Sequence, residues 1–395
     1  VEVMTTPSAK YDPDGMAGII NIVLSKNEFV GKSGSLSFNN SFFEGKKFDV
    51  NENIIENKIV DGGQSLSGTF NYFKNDWNIF TTYGLNFKKR QRTGERIITF
   101  TDLETGIADP NIISNNISNM HPEKSNFKMG LEHYPNDRGL IAFDLTYINH
   151  EGSDTTDVRG TTDEQTIADE TGEDLNYGFG YFIDDKENNK SFSVEFDYDD
   201  HSETETTLYD TFTDEIEDLG IERILSINYS APLNLNGFEG KYETGLKITD
   251  RDDIHGGLVR NEDFDWTYDN LISAGYFTFD YNFSEKMGMQ AGVRFESQTK
   301  ESSIVYDQGF DCSSLIGTST ASGFCECEDT DNNGLWNICS ESLFKDLLEE
   351  LETDANGNLN YEYEHNRIYP SLYFMYDTQG KGNLKFALSR RIERP

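Results

Sequence analysis

The chain has 395 residues, with 71 Asp and Glu against 33 Lys and Arg and a formal net charge of −38. That balance disfavours nucleic acid as a partner. No apolar run reaches about 18 residues, which excludes a transmembrane helix. A membrane β-barrel stays open, because its strands need only every second residue apolar. The 20 Tyr and 28 Phe, with only 8 Pro, suit long strands joined by turns.

Residues 1–26 read VEVMTTPSAKYDPDGMAGIINIVLSK. The turn cluster Asp12-Pro13-Asp14-Gly15 precedes an alternating segment at 18–24, which predicts a strand after an abrupt turn. Gly15 and Gly18 suit a tight turn and close backbone approach. Asn21 lies among Ile19, Ile20, Ile22 and Leu24, apolar side chains suited to packing on a sheet. Further strands are predicted near 35–42, 65–74, 77–88, 127–134, 140–149, 175–183 and 191–198. They continue near 222–229, 241–249, 271–283, 288–297, 367–376 and 383–389, about thirteen in all. Short connections fall at 75–76, 136–137, 185–189, 232–237, 284–286 and 379–382. Long ones fall at 43–64, 89–126, 150–174, 199–221, 250–270 and 298–366. Alternation of short turns and long loops is the rhythm of an up-and-down barrel.

Within the strands one face reads apolar. Phe277, Phe279, Tyr281 and Phe283 alternate with Thr278, Asp280 and Asn282, and Ile141, Phe143, Leu145 and Tyr147 alternate with Asp144 and Thr146. Period two places each set on one face, the apolar one toward lipid and the polar one toward a lumen. A half-buried sheet in a soluble protein would show the same alternation.

Enzyme signatures are lacking: the sequence has no G-x-x-x-x-G-K-[ST], G-x-S-x-G, H-E-x-x-H or G-x-G-x-x-G. The histidines at 121, 133, 150, 201, 255 and 365 are scattered, and no catalytic residue is assigned. All four cysteines, Cys312, Cys325, Cys327 and Cys339, lie in the longest loop. Their even number points to two disulfides in an oxidising compartment, joining Cys325 and Cys327 to Cys312 or Cys339. A four-cysteine zinc site is the rival, for which C-x-C is a poor knuckle. Between them, Asp329, Asp331, Asn333 and Leu335 fall at the ligand positions that open a Ca2+ loop. The pattern then departs from an EF-hand, with Ser340 at position 12, so an acidic turn is the competing reading. Leu343, Phe344, Leu347, Leu348 and Leu351 recur at helical spacing and predict an amphipathic helix over 341–352. Its apolar stripe would pack on the cysteine loop or dock a surface lipoprotein.

The stretch Pro7-Ser8-Ala9-Lys10-Tyr11-Asp12, followed by Gly15 and by A-G-I-I-N-I at 17–22, resembles the end of the plug domain in TonB-dependent outer-membrane receptors. The resemblance is strongest to the Bacteroidota-type outer-membrane β-barrel family. The stretch S-R-R-I-E-R-P at 389–395 is similar to a barrel segment of the same receptors. The resemblance implies an all-β chain: residues 1–30 end a plug, and 31–395 begin an antiparallel up-and-down transmembrane barrel of about 22 strands. It implies an internal piece of a longer receptor in the outer membrane, with its long loops extracellular. Such a receptor imports a ligand, here unidentified, using a TonB complex that contacts it upstream of residue 1. It is not an enzyme and requires no cofactor. A surface barrel for adhesion without transport and a soluble acidic calcium-binding β-protein are the alternatives.

Overall fold

The computed structural model describes residues 2–4, 8–13, 19–21, 30–48, 54–98, 112–159, 164–210, 212–235, 238–259, 262–284, 286–306, 325–328, 338–341, 352–353, 359–378 and 382–392. They form strands β1 (Glu2–Met4), β2 (Ile19–Asn21), β3 (Gly31–Phe48), β4 (Ile54–Lys74), β5 (Trp77–Ile98), β6 (Ile112–Met120) and β7 (Glu123–Asn136). The chain continues through β8 (Gly139–Arg159), β9 (Glu164–Asp185), β10 (Lys190–Leu208), β11 (Thr213–Leu235), β12 (Phe238–Val259), β13 (Glu262–Ser284) and β14 (Met287–Tyr306). Last come β15 (Cys325–Glu328), β16 (Ile338–Glu341), β17 (Glu352–Thr353), β18 (Leu359–Asp377) and β19 (Asn383–Ser389).

The fold is all-β and antiparallel, and fifteen strands share one up-and-down sheet. Two small pairs, β1 with β2 and β15 with β16, stand apart from it. Strands β6 and β7 are two halves of one line, both running between β5 and β8. The break falls at His121-Pro122, where proline has no N–H to give the ladder. Neighbours take over there: the Pro122 carbonyl accepts from Lys88 N at 3.0 Å, and His121 N donates to Ser153 O at 2.8 Å. With β6 and β7 taken as one line and the two-residue β17 set aside, the sheet holds the thirteen strands expected. Among the described residues its edges, β3 and β19, do not pair with each other.

Short turns gather at one end of the sheet. Asn75 (φ 50°) and Asp76 (φ 66°) make a two-residue hairpin of the type that needs both central residues left-handed, a geometry Asn and Asp tolerate. Asn189 (φ 52°) ends the turn between β9 and β10.

The strands overrun their expected limits at the other end. The one expected at 77–88 continues to Ile98, and the one expected at 191–198 continues to Leu208. The long loops expected at 150–174, 199–221 and 250–270 are mostly ladder, with His201 opposite Gly220 and Asp252 opposite Asp269. Alternation of apolar and polar residues detects a strand only where one face leaves water. Beyond that level β10 reads Asp200, Ser202 and Thr204 on one face and His201, Glu203 and Glu205 on the other, and the ladder continues on backbone hydrogen bonds. The expected helix at 341–352 meets strand at both ends, since Glu341 closes β16 and Glu352 opens β17; residues 342–351 lie outside the described set.

The sheet has two unlike faces. Leu36 is 79% exposed and Leu246 59%, on a face that also shows Phe38, Phe179, Phe277 and Phe295. The opposite face carries buried polar side chains: Thr278, Arg294, Glu296 and Gln298. The usual arrangement, apolar inside and polar outside, is inverted.

Candidate functional site

Residues 8–13 lie against the polar face of β12, β13, β14 and β18. A turn closed by Tyr11 N donating to Ser8 O (3.2 Å) folds the segment over the sheet. Period two puts Lys247 of β12, Tyr276 and Thr278 of β13, Arg294 and Glu296 of β14 and Tyr369 of β18 on that face.

Arg294 is the hub. It is 1% exposed, so its charge needs partners close by. Its Nη2 donates to Asp12 Oδ1 at 2.6 Å, its Nε to Glu296 Oε1 at 2.6 Å, and its Nη1 to the Lys10 carbonyl at 3.3 Å. The other carboxylate oxygen of Asp12 accepts from Lys247 Nζ at 2.6 Å. Two cations and two carboxylates therefore balance, and one acidic side chain of the N-terminal segment bridges two strands of the sheet. Removing one partner of a buried pair costs about 3–5 kcal/mol. The Asp12–Lys247 arm is partly exposed and is worth about 0–1 kcal/mol.

Steric fit complements the charges. A Cβ on Gly292 would meet Ala9 Cβ at 2.8 Å, Ser371 Oγ at 2.9 Å and Thr278 Oγ1 at 3.2 Å. Glycine lets the segment approach, and Ala9 is buried, only 6% exposed. The C-terminal stretch joins the same contact: Ile392 N donates to Pro13 O at 3.3 Å, and Arg390 N to Pro370 O at 3.1 Å. The Arg390 guanidinium stands over the Tyr369 ring, 6.0 Å from its centroid. The two stretches that carry the family resemblance thus pack on each other. The arrangement is an electrostatic clamp.

Of the residues singled out in the sequence, Ser8, Ala9, Lys10 and Tyr11 are part of this contact. Asn21 ends β2 opposite Glu2, while Pro7, Gly15 and Gly18 lie outside the described residues. Cys325 and Cys327 lie in β15 and Cys339 in β16, with Cys327 directly opposite Cys339. Cys312 and the calcium-loop residues Asp329, Asp331, Asn333 and Leu335 lie outside the described residues. The sequence reading missed Lys247, Arg294 and Glu296. Their polar-face positions were visible as a pattern, but nothing in it pairs Arg294 with a residue 282 positions away.

Neither the protein-family models nor the curated proteins include a match to this chain. Among solved structures the chain is similar to the alcaligin outer-membrane receptor FauA of Bordetella pertussis. The identity is 7%, over 92% of this chain and 74% of that one, with a TM-score of 0.25.

Proposed function

We propose that the chain is the wall and plug end of a TonB-dependent outer-membrane receptor that imports a ligand through a gated lumen. The observation that carries this reading is the clamp: a short segment, outside the sheet, held by Asp12 on a polar face whose reverse is apolar and exposed. A soluble protein has no reason to expose a continuous apolar face of this extent. A barrel wall does, with lipid on that side and a lumen on the other. The clamp would hold the plug at rest, and its ionic contacts can exchange for water when the segment is pulled. Strand length supports the reading as well. Lipid requires about 9–11 residues of strand, and β10 has 19. On the apolar face of β10 the series Phe192, Val194, Phe196, Tyr198 turns to Asp200, Ser202, Thr204, as at a membrane boundary.

The polar face is acidic, with Asp144, Asp197, Asp199, Glu203, Asp218 and Asp253 aligned by the strand registers. Field focusing between such walls favours cationic or metal-bridged ligands over polyanions. Membrane fractionation of the full-length protein, with heat-modifiability on a gel, tests the proposal. Recovery in the outer membrane, with a fast-migrating unboiled band, is expected. Recovery in the soluble fraction would overturn it.

A further inference from the structure

Two of the scattered histidines, His150 and His201, come near each other on the polar face. His150 of β8, Glu170 and Asp174 of β9, and His201 and Glu203 of β10 all project to the side that carries Arg294, by the registers of β8 to β14. His150 Nε2 lies 3.2 Å from Glu170 Oε1 and 3.8 Å from Glu203 Oε2. One ligand atom from each of the three lies within 4.8 Å of the others. His201 presents Nε2 to the same Glu203 oxygen at 3.8 Å. Its Nδ1 lies 2.6 Å from Asp174 Oδ1.

We propose that His150, Glu170 and Glu203 form a binding site for a divalent first-row transition-metal ion. Three features point to it. Ligand atoms about 2.0–2.2 Å from a tetrahedral metal stand roughly 3.4 Å from one another, and the distances here bracket that edge. His201, held by Asp174 with Nδ1 2.6 Å from Oδ1, stands 3.8 Å from Glu203 Oε2, the position of an outer partner that orients a ligating carboxylate. The third feature is Gly172, opposite both His150 and Glu203 in the ladder. A Cβ there would meet His150 Cε1 at 2.3 Å and Nε2 at 2.6 Å, so the imidazole reaches across β9 only because residue 172 is glycine. Imidazole donors select transition ions over Ca2+ and Mg2+.

The site contrasts with His255, whose Nδ1 lies 2.6 Å from Asp218 on the same face but which joins no cluster of three ligands among the described residues. The metal assignment does not depend on the receptor reading, since it needs only these five side chains. If both hold, the ion stands on the lumen wall just beyond the level at which the apolar series of β10 ends.

The test uses full-length protein in detergent, stripped with chelator and checked for heat-modifiability, then titrated with Co2+ and Zn2+. Wild type is expected to bind one equivalent with a visible ligand-field band free of thiolate charge transfer. His150→Ala should lose that equivalent, and His201→Ala, which removes the outer partner of Glu203, should weaken it about 10–100-fold. Gly172→Ala should weaken it while leaving every ligand in place, and His255→Ala should leave it unchanged. Glu203→Gln, close in shape, replaces any variant that fails to fold. An absent band in wild type, an unchanged equivalent in His150→Ala, or equal displacement by Ca2+ would overturn the assignment.

Discussion

Gly292 is where the N-terminal segment comes nearest the sheet, and the space is measured: Ala9 Cβ stands 2.8 Å from where a methyl would sit. Gly292→Ala must push residues 8–13 away or distort β14. Overpacking of this kind costs about 1–3 kcal/mol. The expected outcome is faster proteolysis of the N-terminal segment with an unchanged heat-modifiable sheet. Equal protection in the variant and wild type would show that the segment does not seat there. The legibility of this contact was uneven. Alternation in 288–297 assigns Arg294 to the polar face, and the motif marks out Ser8 to Asp12. Their pairing was not legible, because a single sequence carries no information about which cation an Asp meets across the fold.

At the scale of elements, turn chemistry was well written in the sequence and strand length was not. Asn75-Asp76 reads as a hairpin and forms one with φ of 50° and 66°. Asp76→Val puts a β-branched residue into the left-handed region and should cost about 1–2 kcal/mol, whereas Asp76→Gly should be tolerated; thermal unfolding of the two variants decides, and equal midpoints would refute the turn assignment. The turn after β9 makes a prediction about pH. The Asn188 side-chain amide donates to Asp185 at 2.8 Å, its backbone N at 3.3 Å, and Arg138 pairs with the same carboxylate at 3.2 Å. The Asn188 amide foremost, with Arg138 adding, holds the Asp185 carboxyl below its ordinary value. A lowered folded-state value means the turn is stabilised above the unfolded pKa and loses that support as pH falls through the folded one. Carboxyl NMR should find Asp185 titrating below the ordinary Asp value of about 3.9, and a midpoint at that value would sink the claim. Strand ends, by contrast, escaped detection wherever both faces are polar. Thr204, Glu205 and Thr206 read as loop yet lie in the ladder opposite Glu217, Ile216 and Glu215.

For the whole molecule the deciding question is what lies against the apolar face. Leu246 is 59% exposed near the middle of the apolar run on β12, between Tyr242 and Ile248. Ile254, 44% exposed, is on the same face of the same strand but past Asp250 and Asp252, which pair with Arg223 at 2.9 and 2.8 Å. In water the two positions are equivalent: an arginine at either is a surface change worth about 0.5 kcal/mol or less. Against lipid they differ. Arginine at the hydrocarbon midplane costs about 2–4 kcal/mol, falling to about 0–1 near the interface. Leu246→Arg should therefore lower the yield of heat-modifiable protein in the outer membrane and its denaturation midpoint in bilayers, with Ile254→Arg close to wild type. Equal and small effects at both sites would place water on that face and end the barrel reading. A large loss at 246 alone fixes the height of the lipid boundary on β12 and, through the registers with β11 and β10, on its neighbours. Arg223 and Asp250 then stand above hydrocarbon, where an ion pair open to water is tolerated, and the long ladders beyond them project outside the membrane.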